Sequence, residues 1–196
     1  MRVQRRAPKQ LRSRQTVEAV LDAVVRVLKR DGAAAVTTNR IAEVAGVSIG
    51  SVYQYFPDKR AIYTALHDRH SDEMSRLVER TLVEHAATSL DTLLRALVEA
   101  MIEAHATDPA LHELLREVPH DDGARDLPTR LRGALRLAIS SRQRARRPRD
   151  LERCLFVLTH MIDALSHAAV HRRPPKLSLA AAKEEAVRAV LAYVRA

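Results

Sequence analysis

The sequence predicts an all-α protein of about nine helices, and three observations support this fold class. Apolar residues make up 46% of the 196 residues, which is enough for a sizeable buried core. The chain has only 5 Gly, 8 Pro and 3% aromatic residues, too few turn and strand formers for a many-stranded architecture. Apolar residues also recur at helical spacing along most of the chain.

The first helix is predicted to follow Ser13, a candidate N-cap. Apolar residues recur at helical spacing over residues 17–28, and Lys29 and Arg30 then oppose the helix dipole in the last turn. Gly32 favours the left-handed conformation that ends helices. The pattern therefore predicts one amphipathic helix with a defined end.

Two short helices flanking a glycine are predicted next. Thr38 is the expected cap of the first and Ser48 of the second, while Pro57 marks the end of the second. Gly46 supplies the positive φ of a tight turn between them. This spacing is typical of a helix-turn-helix unit, in which the second helix enters the major groove of DNA.

The second short helix is predicted to have two different faces. Helical spacing places an apolar stripe toward the core, formed by Ile49, Val52, Tyr53 and Phe56. The opposite face is small and polar and consists of Gly50, Ser51, Gln54 and Tyr55. Short side chains and hydrogen-bonding groups are what the major groove accommodates.

The stretch from Thr37 to Leu66 resembles the DNA-binding domain of TetR-family transcriptional regulators, and its central part reads GVSIGSVYQYFPDKRAI. The resemblance implies a homodimer that binds a palindromic operator, most simply as a repressor that a ligand releases. By motif the resemblance covers roughly residues 13–66, and the remaining two thirds of the chain agree with the family only in being helical and of the expected length. The implied domains are a basic arm at 1–12, a DNA-binding domain at 13–57 and a helical effector-binding and dimerisation domain at 58–196.

Carried onto this sequence, the resemblance implies a set of residues at the DNA. The residues expected at bases or the groove are Thr38, Asn39, Ile49, Gly50, Ser51 and Gln54, with Ser48 at the cap between them. Those expected at phosphates are Tyr53, Tyr55 and Lys59. Lys59 follows Asp58 at the start of a fourth helix, where its ammonium adds to the dipole in attracting phosphate.

The charge of the chain is concentrated near its N-terminus. The formal net charge is +9, and residues 1–60 hold 12 Lys and Arg against 5 Asp and Glu. This asymmetry favours a polyanion such as double-stranded DNA as the partner, with a merely solvated tail as the alternative. A second Arg-rich segment at 142–149 is interpreted as a solvated loop.

The rest of the chain is predicted to form six helices. Asp58 caps one that runs to about Leu82, Ser89 opens another, and Pro109 begins a short one that ends near Arg116. Three more are expected near 127–139, 151–171 and 178–195. The last two are apolar enough to need covering on more than one face, which suggests a four-helix interface between two copies of the chain.

An effector site is expected among the C-terminal helices, as in TetR-type proteins. The candidate lining residues are Leu97, Met101, His105, Phe156, His160 and Met161, with the histidines as polar anchors. With no Trp and 2 Phe in the chain, we expect an aliphatic cavity with one or two polar anchors rather than an aromatic cage. Such a cavity suits a largely apolar effector. Ordinary core packing is the alternative for each of these residues.

Nothing in the sequence points to catalysis, a cofactor or a metal. It has no Gly-rich phosphate loop, GxSxG or HExxH motif, and neither His67 with His70 nor His167 with His171 has a further ligand at fixed spacing. No apolar run approaches the length of a membrane span, so a cytoplasmic protein without a membrane partner is expected. Two alternatives remain: a regulator controlled by a partner protein, and a helical enzyme with a DNA-binding head.

Overall fold

The computed structural model describes residues 6–116, 127–142 and 148–195, and their side chains from Ser13 onward except at 142, 148 and 149. Within these ranges the chain forms nine α-helices and one short 3-10 turn, without a strand, so the all-α prediction is confirmed. The side chains of the basic arm and most of the Arg-rich segment lie outside the described residues. The helices are α1 (Arg6–Asp31), α2 (Thr38–Ala45), α3 (Ile49–Tyr55), α4 (Lys59–Glu84), α5 (Leu90–Thr107), α6 (Pro109–Arg116), α7 (Leu127–Arg142), α8 (Pro148–His171) and α9 (Leu179–Arg195).

Capping side chains begin several helices where the sequence predicts them. Ser48 Oγ accepts the Ser51 N–H at 3.0 Å at the start of α3. Asp58 Oδ1 accepts the Ala61 N–H at 2.7 Å at the start of α4, and Ser89 Oγ opens α5. These bonds satisfy backbone donors that a helix leaves unpaired in its first turn.

Two predicted caps are wrong. The N-cap of α2 is Thr37, whose hydroxyl accepts the Arg40 N–H at 3.2 Å, so Thr38 is the first helical residue. Ser13 caps no helix, because α1 already begins at Arg6 and Ser13 lies within it. Adjacent hydroxyl residues such as Thr37 and Thr38 offer the same cap chemistry, and only the backbone path decides between them.

The chain divides into two compact units, of which the first comprises residues 1–67 and 110–120. Its core takes apolar side chains from α1, α2, α3, the start of α4 and α6. The contributions include Val20, Val24, Val27, Ile41, Val52, Phe56, Ile62, Leu66, Leu111 and Leu115. The first unit thus extends past residue 57, the predicted domain end, because Ile62 and Leu66 complete its core and α6 returns to it.

The second unit comprises residues 68–109 and 121–196. In it α5 and α9 run antiparallel, since Glu103 near the end of α5 pairs with Lys183 near the start of α9 at 2.6 Å. At the other end of the same helices, Arg195 pairs with Asp91. The core between the helices of this unit is aliphatic, with Leu97, Val98, Met101, Leu155, Leu158, Ile162, Val187 and Val190 among its buried residues.

Helix α8 contains a long apolar segment. By length and composition alone, its segment Asp150–His171 is the one described stretch that meets the criterion for crossing a membrane. The core helix of a globular protein meets the same criterion, and the buried residues Leu155, Leu158 and Ile162 of α8 lie in the second core.

Gly46 and Gly133 provide a test of the helix-turn-helix turn. Gly46 has φ +70° and Gly133 is helical, and a Cβ added at either would meet no atom within 4 Å. Gly46→Ala should therefore lower the free energy of unfolding by about 1–2 kcal/mol through backbone strain alone. Gly133→Ala should raise it by about 0.5–1 kcal/mol. Urea denaturation of both variants measures this, and a change of the same sign in both would contradict the assignment.

Candidate functional site

Helix α3 is held against the first core by two side chains one turn apart. Val52 is fully buried and Phe56, the residue that ends the helix, is 5% exposed. Ile49 and Tyr53, predicted to share this apolar stripe, are instead 38% and 53% exposed. That prediction is wrong because a helix of seven residues turns only a narrow face toward the core, and Val52 and Phe56 occupy it.

The outward side of α3 is uncharged. No residue from Ala45 to Pro57 carries a charge, and Gly50 and Gln54 are exposed. The backbone of Gly50 is helical, and a Cβ there would meet only Ser48 Oγ at the ordinary distance of 3.8 Å. The fold therefore does not require glycine at position 50, although glycine in a helix costs about 0.5 kcal/mol or more.

The N-terminal ends of α2 and α3 present small hydroxyl and amide side chains. Ser48 and Ser51 share a hydrogen bond between their hydroxyls at 2.8 Å, which adds to the cap of α3. Thr38 is half-exposed and Asn39 is exposed in the first turn of α2. The predicted groove-contacting residues of both helices thus lie at least partly on the surface of the first unit.

Lys59 lies at the N-terminal end of α4, where a cation opposes the helix dipole. Its Nζ lies 5.1 Å from the centroid of the Tyr63 ring, so the ammonium rests against an aromatic face. A cation beside free backbone N–H groups is unfavourable for the helix and favourable for an anion. This placement suits a phosphate contact.

A surface network that the sequence analysis did not find connects α2 to the end of α1. The Arg40 guanidinium pairs with Glu43 at 2.6 Å and with Asp31 at 3.3 Å. The hydrogen bond from Arg30, with a smaller contribution from Arg40, lowers the pKa of the Asp31 carboxyl. The charge of Arg40 is therefore engaged by carboxylates next to the exposed Asn39.

The helical spacing predicted that Tyr55 lies on the outward face of α3, but the structure places it elsewhere. It is half-buried against the first core, and its hydroxyl donates to Ser13 Oγ in α1 at 3.2 Å. The bond connects residues 42 positions apart in the chain. Tyr55 thus fixes α3 to the N-terminal part of α1, a role that only the packing of the two helices reveals.

The structure separates the six predicted effector residues into two groups. Leu97, Met101 and His105 are buried in the second unit, and Met161 is half-buried. Phe156 is 57% exposed and His160 is also exposed, with their rings 4.4 Å apart on the outer side of α8. Phe156 and His160 therefore do not join the buried residues of α5. The sequence could not show this, because α8 is apolar on two sides and its residues do not indicate which side is covered.

Imidazole rings gather where α5 approaches α8. The ring centroids of His105 and His167 are 6.3 Å apart, and His167 stacks on His171 at 4.5 Å. His105 Nδ1 lies 2.8 Å from the Met101 carbonyl oxygen, and burial lowers the pKa of His105. Among the described side chains, no group of three or more His, Cys, Asp or Glu is arranged to hold a metal ion.

Two family models match this chain and together cover most of it. Residues 20–66 match the DNA-binding part of the tetR family of bacterial regulatory proteins. Residues 89–193, more than half of the chain, match the tetracyclin repressor-like C-terminal domain. The chain belongs to the TetR family. The match supports the helix-turn-helix assignment of α2 and α3.

Relatives of this TetR-family chain agree with that assignment. A TetR-family regulator from Streptomyces coelicolor has 26% identity and a TM-score of 0.66, over 92% of this chain and 98% of that one. LfrR from Mycobacterium smegmatis, solved with proflavine, has the same fold at 20% identity and a TM-score of 0.53, over 93% and 96% of the two chains. The nucleoid occlusion factor SlmA of Actinobacillus pleuropneumoniae is 29% identical over 99 residues, 50% of this chain and 48% of that protein. The alignment with SlmA thus spans about half the length of each protein.

The hydrogen bond between Tyr55 and Ser13 provides a test of how this TetR-family chain positions α3. Tyr55→Phe and Ser13→Ala should each lower the free energy of unfolding by about 0.5–1.5 kcal/mol, because each removes the same partly buried bond. The double variant should lose little more than either single one. Chemical denaturation measures the cycle, with Tyr53→Phe as the control at an exposed hydroxyl. Additive losses would show that the two groups do not interact.

Proposed function

We propose that the protein is a sequence-specific DNA-binding transcriptional regulator that acts as a homodimer on a palindromic operator in the cytoplasm. The observation that carries this is the outward face of α3, which is uncharged and bears a glycine where the fold does not need one. A helix reads base edges by hydrogen bonds and close contact rather than by charge. The proposed contact residues are Thr38, Asn39, Ser48, Ile49, Gly50, Ser51, Tyr53, Gln54 and Lys59, and Tyr55 acts by positioning α3.

A dimer is needed because one recognition helix covers one half-site, and the second lies about 34 Å along the DNA. The outward sides of α8 and α9 support a dimer interface there. Phe156 and His160 form an exposed ring pair on α8, and Ala189 and Ala192 are exposed small residues on α9. Small residues allow the close approach of helices from two copies.

Control by a small molecule in the second unit follows from the C-terminal family match and from the proflavine complex of LfrR. An effector changes DNA binding only to the extent that it binds the DNA-bound and released states with different affinities. Repression relieved by the effector is the simplest mode for such a regulator. The aliphatic core of the second unit is the proposed place of binding.

Control by a partner protein is the second candidate, because part of the chain matches SlmA, which is named as a nucleoid occlusion factor and not as a ligand-responsive regulator. The two candidates differ in where a regulating signal binds. A small molecule would stabilise the second unit from inside, whereas a protein partner would cover its surface. Thermal denaturation with and without small molecules distinguishes them.

The test of DNA recognition is fluorescence anisotropy with DNA flanking the protein's own gene and with scrambled DNA of equal length, at two salt concentrations. Specific binding to the flanking DNA should persist at the higher salt, while scrambled DNA is released, because nonspecific binding is mainly counterion release. Equal, salt-sensitive binding to both would count against recognition of that DNA. Selection of bound sequences from random DNA then decides whether the protein has any sequence preference.

Gly50→Ala separates function from stability. The substitution should raise the free energy of unfolding by about 0.5 kcal/mol, because alanine is the better helix former and the added Cβ meets only ordinary contact. It should nevertheless weaken specific DNA binding several-fold by obstructing close approach of α3 to the groove. Gly133→Ala is the matched control and should leave DNA binding unchanged. If the Gly50→Ala variant bound specific DNA as tightly as the wild type, α3 would not be the surface that approaches the DNA groove closely.

Phe156 allows the dimer interface to be tested. Phe156→Glu should shift the protein toward monomers, because it places a charge on a face that two copies bury together. Val83→Glu is the control, since Val83 is also an exposed apolar residue, at 76%, but lies on α4. Sedimentation velocity over a concentration series measures both. A dimer equally stable in the Phe156 and Val83 variants would place the interface elsewhere.

A further inference from the structure

Buried hydroxyl groups in the second unit fall into two classes. In α4, Ser75 Oγ donates to the Ser71 carbonyl at 2.7 Å, and Thr81 Oγ1 donates to the Leu77 carbonyl at 2.9 Å. Each bond reaches four residues back along the same helix. These two hydroxyls are thus satisfied by their own helix, which is the usual solution for a buried Ser or Thr.

In α8, two hydroxyls of equal burial are left unsatisfied. Thr159 is 3% exposed and Ser166 is 0% exposed, and neither hydroxyl has a hydrogen-bond partner within the described part of the chain. The carbonyls of Leu155 and Ile162, four residues earlier, offer the bond that Ser75 and Thr81 use. Burying a hydroxyl without a partner costs free energy, so these two groups are retained at the expense of stability.

The two hydroxyls lie along one side of α8. Seven residues separate them, which is close to two helical turns or about 10 Å along the axis. Between them lies the fully buried Ile162, and the same core contains Leu97 and Met101 of α5. The buried side of α8 therefore carries a hydroxyl at each end of an apolar stretch.

The buried side chains around the Thr159 and Ser166 hydroxyls carry no formal charge. Among the described residues, the buried polar side chains of the second unit are Ser, Thr and a single His, His105. Burial lowers the pKa of His105, which keeps its imidazole neutral at pH 7. A charged molecule placed in this core would meet no buried counterion, and desolvation of an unpaired charge is prohibitive.

We propose that Thr159 and Ser166 are the hydrogen-bonding anchors of a small-molecule site on the buried side of α8, and that its ligand is uncharged, largely apolar and bears a hydroxyl or similar group. This inference rests on the proposed control by a small molecule. It replaces Phe156 and His160 as the α8 members of the effector site. Each hydroxyl or similar group of the ligand recovers the hydrogen bond missing at one of these anchors, and the flexible Met101 side chain adjusts to admit the apolar part.

The first measurement is the thermal stability of the full-length protein without ligand. Thr159→Val and Ser166→Ala should melt at the same temperature as the wild type or higher, because each removes an unsatisfied hydroxyl. Thr81→Val and Ser75→Ala are the matched controls and should melt lower, because each removes a satisfied one. Losses of stability in the α8 variants as large as in the controls would show that the α8 hydroxyls are already partnered, and would overturn the proposal.

The second measurement uses three fluorinated probes that differ in one group: 4-fluorophenol, 4-fluorotoluene and 4-fluorobenzoate, followed by fluorine NMR. The wild type should bind 4-fluorophenol, whose single hydroxyl can reach only one of two anchors about 10 Å apart. One of the two α8 substitutions should therefore weaken this binding at least about 5-fold, as expected for one hydrogen bond. Binding of 4-fluorotoluene should be the same in all variants, and 4-fluorobenzoate should not compete with 4-fluorophenol.

Three results would overturn the proposal. The first is that the wild type does not bind 4-fluorophenol, as would occur if tightly held water already satisfied the hydroxyls. The second is that 4-fluorophenol binds equally to the wild type and all variants. The third is that 4-fluorobenzoate competes with 4-fluorophenol in a way that depends on Thr159 or Ser166. DNA binding is measured on the same preparations by anisotropy. Intact sequence-specific DNA binding with a failed probe test rejects this site alone, whereas lost specificity in the wild type rejects the proposed function itself.

Discussion

The burial of Val52 and Phe56 is the interaction on which the DNA-facing surface depends. A helix of seven residues is too short to persist in water by its own hydrogen bonds, so α3 exists because these two side chains enter the first core. The same burial sets the rotation of the helix about its axis. Ile49, Gly50, Tyr53 and Gln54 are exposed because Val52 and Phe56 are inward.

Two further contacts restrain the orientation of α3. Gly46 ends α2 in the left-handed conformation, and its N–H reaches back to the carbonyls of Ala42 and Glu43. The Tyr55 hydroxyl reaches Ser13 in α1, so α3 is connected to α1 by a hydrogen bond as well as by the core. A rigidly held reading surface is physically useful, because base recognition depends on hydrogen bonds of narrow geometric tolerance.

The two sides of α8 have different chemistry. The outer side carries the Phe156 and His160 ring pair, which suits contact with a second copy of the chain. The buried side carries the Thr159 and Ser166 hydroxyls, which suit an uncharged ligand. With both proposed surfaces on one helix, α8 would physically connect ligand binding in the second unit to the arrangement of two copies. The return of α6 to the first core shows that the chain also connects the two units at more than one point in its sequence.

The fold class, the order of the helices, most of their ends and the family could be predicted from the residues alone, because caps, turn glycines and helical periodicity are local signals. The Ser48, Asp58 and Ser89 caps and the Gly46 turn lie where the residues predict them. Which sides of the helices are covered depends on how the helices pack together in the folded chain. Periodicity gives the angles between residues on a helix but not the direction of its neighbours. For that reason Tyr53 and Phe156 lie outward, Tyr55 contacts α1, and the hydroxyls of Thr159 and Ser166 lie buried in the core.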